Sequence, residues 1–265
     1  GRCQRCQRGV VFGSEIMRLL VWLGALALLA SAAGVGGASA PPWSLDFEAA
    51  MVTATRNDVG IPGTTGTRFS LVDDLATDDD VAFRVRLSRA LGSRHNLSVL
   101  YAPLRLHAQG QTGFPIDFNE ASFAADADLK ATYKFNSYRL TWRYEMVRGQ
   151  RLDFGLGLTG KIRDAFVELG DGTITTRKEN VGFVPLVHLR LDWRWTAKLG
   201  LILEADALAA PQGRAEDALL AIVVRPWHQG TMRLGYRVLE GGADVDDVYS
   251  FALIHYYVFG WSHRF

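Results

Sequence analysis

From Trp43 onward the chain alternates apolar and polar residues with a period of two. In residues 138–146, Tyr138, Leu140, Trp142, Tyr144 and Met146 share one face, and Arg139, Thr141, Arg143 and Glu145 share the other. Residues 182–195 repeat the rule, with Phe183, Pro185, Val187, Leu189, Leu191, Trp193 and Trp195 opposed to His188, Arg190, Asp192 and Arg194. Residues 81–89, 152–163 and 231–238 follow the same pattern. Side chains of a β-strand point alternately to its two faces, so each stretch predicts a strand with one apolar and one polar face.

Ten such strands are predicted, over residues 44–56, 80–91, 95–108, 127–147, 151–164, 181–195, 199–209, 216–226, 230–240 and 247–262. The connections between them alternate in length. A short Phe135-Asn136-Ser137 interruption is read as the middle of one long strand, because a turn there would make the number odd. A soluble sandwich also alternates, but its polar face meets bulk water. Here Arg, Asp, Glu and His oppose large aromatics, Leu and Val over about 11 residues or more, which is what a lipid-facing surface around a polar lumen requires. The expected fold class is therefore all-β, an antiparallel transmembrane β-barrel of ten strands. Twelve strands, with residues 68–75 pairing locally, and eight are the alternatives in number, and a lipocalin-like barrel with an apolar lumen is the alternative in kind. Trp43, Trp142, Trp193, Trp195, Trp227 and Trp261 all fall at or near the strand ends expected on the inner side, as an interfacial aromatic belt would.

The chain closes on residues 249–265, YSFALIHYYVFGWSHRF. Gly260, His263 and Phe265 resemble the C-terminal insertion signal of bacterial outer-membrane barrels. That resemblance implies an outer-membrane location and, as partners, the barrel assembly machinery, outer-membrane lipid and lipopolysaccharide. The strand count also resembles that of the omptin proteases, although no omptin motif maps onto this sequence.

Residues 17–40 differ from the rest. Met17 and Arg18 precede an apolar run that closes on Ala38-Ser39-Ala40, the layout of a secretory signal peptide cleaved after Ala40. Leu19–Leu29 is too short for a membrane helix, which needs about 20 apolar residues. Residues 1–16 read as an extension from an upstream start, so the pair Cys3 and Cys6 is expected to be absent from the exported part, residues 41–265.

Composition adds two constraints. With 29 Lys plus Arg against 28 Asp plus Glu, the balance excludes a polyanion binder driven by bulk charge, and no nucleic-acid surface or phosphate loop is found. The inward face is expected to carry Asp46, Glu48, Arg84, Arg86, Arg139, Arg143, Glu145, Lys161, Arg163, His188, Arg190, Asp192, Arg194, Glu204, Asp206, Arg233 and Arg237. Charges leaving water in both signs neutralise one another, and a ten-strand barrel is narrow enough for side chains to fill it. The leading expectation is a monomer with no cofactor, a largely plugged lumen and a structural or surface-interaction role. A narrow passive channel is the alternative, with an anion preference because Arg outnumbers acid. A hydrolase at the outer rim is the second alternative. For it, His107 is placed like a base, but no serine stands in a recognisable nucleophile motif and no catalytic residue is assigned. Asp73 and Asp74 of the first loop and Asp244 and Asp246 of the last belong to neighbouring ends of the barrel and form a candidate rim cation site.

Overall fold

The computed structural model describes residues 43–210 and 213–265, so the expected signal peptide and upstream extension lie outside the described residues. Ten long strands form the wall: β1 (Trp43–Gly60), β2 (Asp80–Leu91), β3 (His95–Ala102, resumed at Arg105–Gly110), β4 (Leu129–Arg148), β5 (Leu152–Gly170), β6 (Thr175–Arg194), β7 (Leu199–Ala210), β8 (Gly213–Trp227), β9 (Gly230–Val245) and β10 (Val248–Arg264). Neighbours in sequence pair antiparallel, and β10 returns to β1 from Ser44 opposite Arg264 to Gly60 opposite Tyr249. Where the first and last described residues meet, Trp43 and Phe265 exchange backbone hydrogen bonds of 3.0 Å. A closed antiparallel barrel leaves few strand edges exposed in a membrane.

Several boundaries differ from expectation. The stretches read as outer loops at 165–180 and 241–247 are mostly strand: β5 and β6 meet through a turn at residues 171–174, and β9 and β10 through Asp246 and Asp247. Side-chain alternation fades above the lipid, but backbone pairing continues, so polarity marks the membrane boundary rather than the strand end. In the β5–β6 turn, Asp171 accepts 2.8 Å bonds from the Ile174 and Thr173 amides, and these hold its carboxyl below the usual range. Strand β3 breaks at Pro103 and Leu104, since proline cannot donate to a ladder. Residues 135–137 lie within β4, paired to β5.

The first two outer connections fold inward. Phe69–Ser70 adds to the end of β1, and Ile116–Phe118 with Ala121–Phe123 forms a small hairpin. Asn119 (φ 46°) and Glu120 (φ 67°) make its two-residue turn, in the left-handed region that such hairpins use. Phe69 packs edge-on against Phe118 at 6.0 Å, and Leu71, Leu75, Ile116 and Phe123 are buried with them. The hairpin is fastened from both sides: Thr67 N donates to Asp117 O and Asn119 N to Ile61 O, and Asn119 Nδ2 donates to Thr176 Oγ1 on β6. The apolar residues of these loops cap the outer half of the lumen, beside Val59, Leu106, Leu129, Leu169 and Ile254 of the wall.

Candidate functional site

The inner half of the lumen is charged, and alternation places its members. On β1 the inward residues are Asp46 and Glu48; opposite them on β2 are Arg86 and Arg84. Next to Glu48 and Ala50 on β10 are Gly260 and Val258, and beyond these on β9 stand Arg233 and Gly235. The register thus stacks acid against base across neighbouring strands.

Glu48 accepts from Arg233 Nη2 at 2.7 Å and from Arg237 Nη2 at 2.8 Å, with Arg84 3.6 Å away. Arg233 also donates to Asp46 at 2.6 Å. Arg139 donates to Asp206 at 2.7 Å, to Asp217 at 2.6 Å and to Ser137 Oγ at 3.0 Å. Asp206 further accepts from Thr159 Oγ1, and His188 Nδ1 lies 2.8 Å from it. Glu204 pairs with Arg86 and with Arg190. Glu48, Arg84, Arg139, Glu204, Asp206, Asp217 and Arg237 are all buried. Such a layer is tolerable in a low-dielectric interior only because each charge meets an opposite one with hydrogen-bond geometry.

Of the remaining expected lumen residues, Lys161 and Arg163 border an outer cavity, and Arg143, Glu145, Asp192 and Arg194 lie toward the inner mouth. Arg143 donates to Glu145 at 2.8 Å, Asp192 accepts from Arg225, and Arg194 pairs with Asp153 at 2.7 Å. Two important members were missed by sequence reading. Asp217 accepts from Arg84, Arg139 and Arg237 and is the centre of the layer. It escaped notice because its companions on the inward face of β8, Leu219, Ala221 and Val223, are apolar, so the face does not read as polar. The exposed Leu220, Ile222 and Val224 carry the signal that would have placed it, since the opposite parity must point inward. Arg225 shares that parity.

The rim carboxylates do not assemble as expected. Asp74 accepts from the Ser70 amide at 2.7 Å, Asp73 N donates to Ser70 Oγ, and Asp244 lies 3.9 Å from Arg68. Asp246 belongs to the β9–β10 turn. Among the described residues no group of three or more His, Cys, Asp or Glu is placed to hold a metal ion. The loop that carries Asp73 and Asp74 turns inward on its leucines and phenylalanine, and the Asp74 carboxylate serves its local turn. His107 lies beside Asp78 through backbone bonding, Asp78 N to His107 O. Of the terminal signal residues, His263 stacks on Trp261 on the outer face. Gly260 faces the lumen, where a Cβ would stand 2.6 Å from Arg233 Nε, so its lack of a side chain has a packing reason of its own.

Two cavities flank the charge layer. The inner one, about 260 Å³, is bordered by Asp46, Arg143, Asp192 and Arg225; the outer one, about 200 Å³, by Tyr133, Phe135, Lys161, Leu239 and Ile254. They share no lining residue. Outside, Met51, Val81, Leu140, Phe183, Leu234 and Tyr257 stand exposed on the wall. Trp142, Trp193, Trp195 and Trp227 are exposed toward its inner end, the arrangement of an interfacial girdle.

A closed antiparallel ten-strand barrel with an apolar outer surface and a polar lumen is the architecture of bacterial outer-membrane barrels. The solved structures it resembles belong to that class. The outer membrane protease OmpT from Escherichia coli matches with a TM-score of 0.57 and 6% identity, over 87% of this chain and 99% of that one. An outer-membrane channel from Pseudomonas putida F1 gives 0.43 and 9%, over 88% of this chain and 100% of that one. The attachment invasion locus protein Ail of Yersinia pestis gives 0.37 and 9%, over 85% and 99%. No protein-family model and no curated protein matches the chain.

Proposed function

We propose that this chain is a non-conducting barrel of the bacterial outer membrane, with a structural or surface-interaction role, that presents its ordered outer cap at the cell surface. The observation that carries this reading is the buried ion-pair layer lying between two cavities with no common lining residue. An anion channel would need guanidinium groups free to receive the ion, whereas those of Arg84, Arg139, Arg233 and Arg237 are taken by Glu48, Asp46, Asp206 and Asp217. For a rim hydrolase the geometry offers little, since the His107 ring has no hydrogen-bonded acid or hydroxyl among the described residues. The expected partners are outer-membrane lipid, lipopolysaccharide and the assembly machinery, with the chain acting as a monomer.

Residues 41–265 contain no cysteine, which makes a sidedness test direct. Ser88→Cys reports on the inner cavity and Ala165→Cys on the outer one. In proteoliposomes of uniform orientation, a small membrane-impermeant maleimide added on the cap side should label Ala165→Cys and leave Ser88→Cys unmodified. Labelling of both from that side would refute a closed lumen.

A further inference from the structure

One seam of the wall is incomplete. Strand β6 pairs with β5 along its whole length, but with β7 only from Arg194 opposite Gly200 to Val187 opposite Ala207. Among the described residues, 175–186 of β6 therefore have no strand partner on the β7 side. The ladder stops two residues short of Pro185, which has no N–H to extend it. The inward face of β7 records the consequence: Glu204 and Asp206 are 3% and 4% exposed, whereas Leu208, next on the same face, is 36% exposed.

The depth of this seam matters. The apolar band of such barrels is about 25 Å tall and is crossed by about 10 residues of a tilted strand. Counted from Trp193 in the inner girdle, that places Phe183 at the outer edge of the band. Phe183 and Val181 are about 70% exposed on the outward face of β6, as lipid contact demands. The lower part of the gap therefore opens toward the outer leaflet, and its upper part toward water.

Behind the gap lies the outer cavity. Lys178, Asn180 and Val184 of β6 border it on one side, and Arg214 and Ala215 of β8 on the other. Its walls are apolar, with Tyr133, Phe135, Val167, Leu239 and Ile254 among them, and Asp247 is the carboxylate among its lining side chains. Lys161 is 2% exposed and lines the cavity, with Nζ 4.6 Å from the centre of the Phe135 ring. Arg163 bonds Asn180, and Arg214 bonds Glu240, but no carboxylate of the described residues lies within ion-pair distance of Lys161. A buried ammonium without a counter-ion must shed its proton or hold an anion. The cavity is suited to the second: Arg163, Lys178 and Arg214 give it a positive field that would attract an anion, and the unpaired stretch of β6 borders it.

We propose that this cavity binds a single-chain amphipathic anion, a carboxylate or phosphate head on an acyl tail, through the gap between β6 and β7. The head sits at Lys161 with Arg163 beside it, and the tail lies along Phe135, Val167, Leu239 and Ile254. The site borders the charge layer, with Lys161 opposite Arg139 in the β4–β5 register, but does not depend on whether the lumen conducts. An acyl anion from the outer leaflet and a free fatty acid from the medium present the same chemistry.

The test is competition against a fluorescent polyene fatty acid bound to the purified full barrel in non-ionic detergent. Decanoate should displace it at a concentration about tenfold lower than decanol, as expected for a charge-assisted contact. Lys161→Met should erase that difference and Lys161→Arg should keep it, with heat-modifiable gel migration certifying the fold of each variant. Ala252→Phe fills the cavity and leaves every charge in place, so it should weaken both ligands and serves if Lys161→Met fails to fold. Equal displacement by decanoate and decanol, indifference to Lys161→Met, or unchanged binding in Ala252→Phe would each overturn the proposal. Mass spectrometry then separates the sources: an acyl anion released from barrel extracted from native membranes identifies the leaflet, and loading from buffer alone identifies free acid. Neither result would again overturn it.

Discussion

Asp217→Asn removes the charge at the centre of the lumen layer with almost no change in shape. The carboxylate is 3% exposed and accepts from Arg84 at 3.0 Å, from Arg139 at 2.6 Å and from Arg237 at 2.5 Å. Removing one partner of a buried ion pair costs about 3–5 kcal/mol, because the opposite charge is left uncompensated. Each arginine here retains a second carboxylate: Glu48 for Arg237 at 2.8 Å and for Arg84 at 3.6 Å, Asp206 for Arg139 at 2.7 Å. The cost should then fall at the lower end, about 3 kcal/mol, which is roughly a hundredfold in the folding equilibrium. Reversible urea unfolding of the barrel in lipid vesicles, followed by the emission of the girdle tryptophans, reads this as a lower midpoint at constant slope. Glu216→Gln is the control: its neighbouring side chain is exposed and takes part in no ion pair among the described residues, so a change within about 0.5 kcal/mol is expected. If Asp217→Asn unfolds no more easily than that control, the layer is not a stabilising network and the account of the lumen fails.

Gly260→Ala should destabilise by about 1–3 kcal/mol in the same assay, since its Cβ would push the Arg233 guanidinium away from Asp46 and Glu48. Adding Arg233→Met should remove that penalty, and strict additivity of the two changes would argue against the contact. Phe265→Ser is expected to impair assembly into the membrane, read by heat-modifiable migration of the cell-envelope fraction, and normal insertion would contradict a role for the terminal aromatic. Glu120→Gly relieves a left-handed residue in the cap hairpin and should stabilise by about 0.5–1 kcal/mol, seen as slower proteolytic clipping of residues 111–128. No change in clipping would mean that the turn holds no strain.

The wall was legible because lipid outside and charge inside impose opposite polarities on successive residues, a signal as plain in residues 182–195 as in the finished β6. The parity of Glu48, Arg139 or Asp206 follows from that alternation, whereas the count of ten also needed the rule that strands be even in number. The outer parts were not legible. Above the membrane both faces of β5 and β6 meet water or the cap, alternation loses its cause, and residues 165–170 read as loop although they pair with 175–180. The cap shows the opposite problem: Phe69, Leu71 and Leu75 sit among aspartates, and only their burial reveals which residues set the direction of the chain. Asp217 was missed because one acid on an otherwise apolar inward face has no local pattern around it. The gap beside Pro185 had a sequence sign, a proline in the middle of a strand, but only the pairing of β6 with β7 on one part of its length gives that sign a meaning.

Conductance across a planar lipid bilayer tests the central claim most directly. Purified barrel at high salt should give no discrete current steps above the bare membrane, because the layer of Glu48, Arg84, Arg139, Asp206, Asp217 and Arg237 separates the two cavities. Stable, reproducible steps from heat-modifiable, correctly folded protein would contradict it.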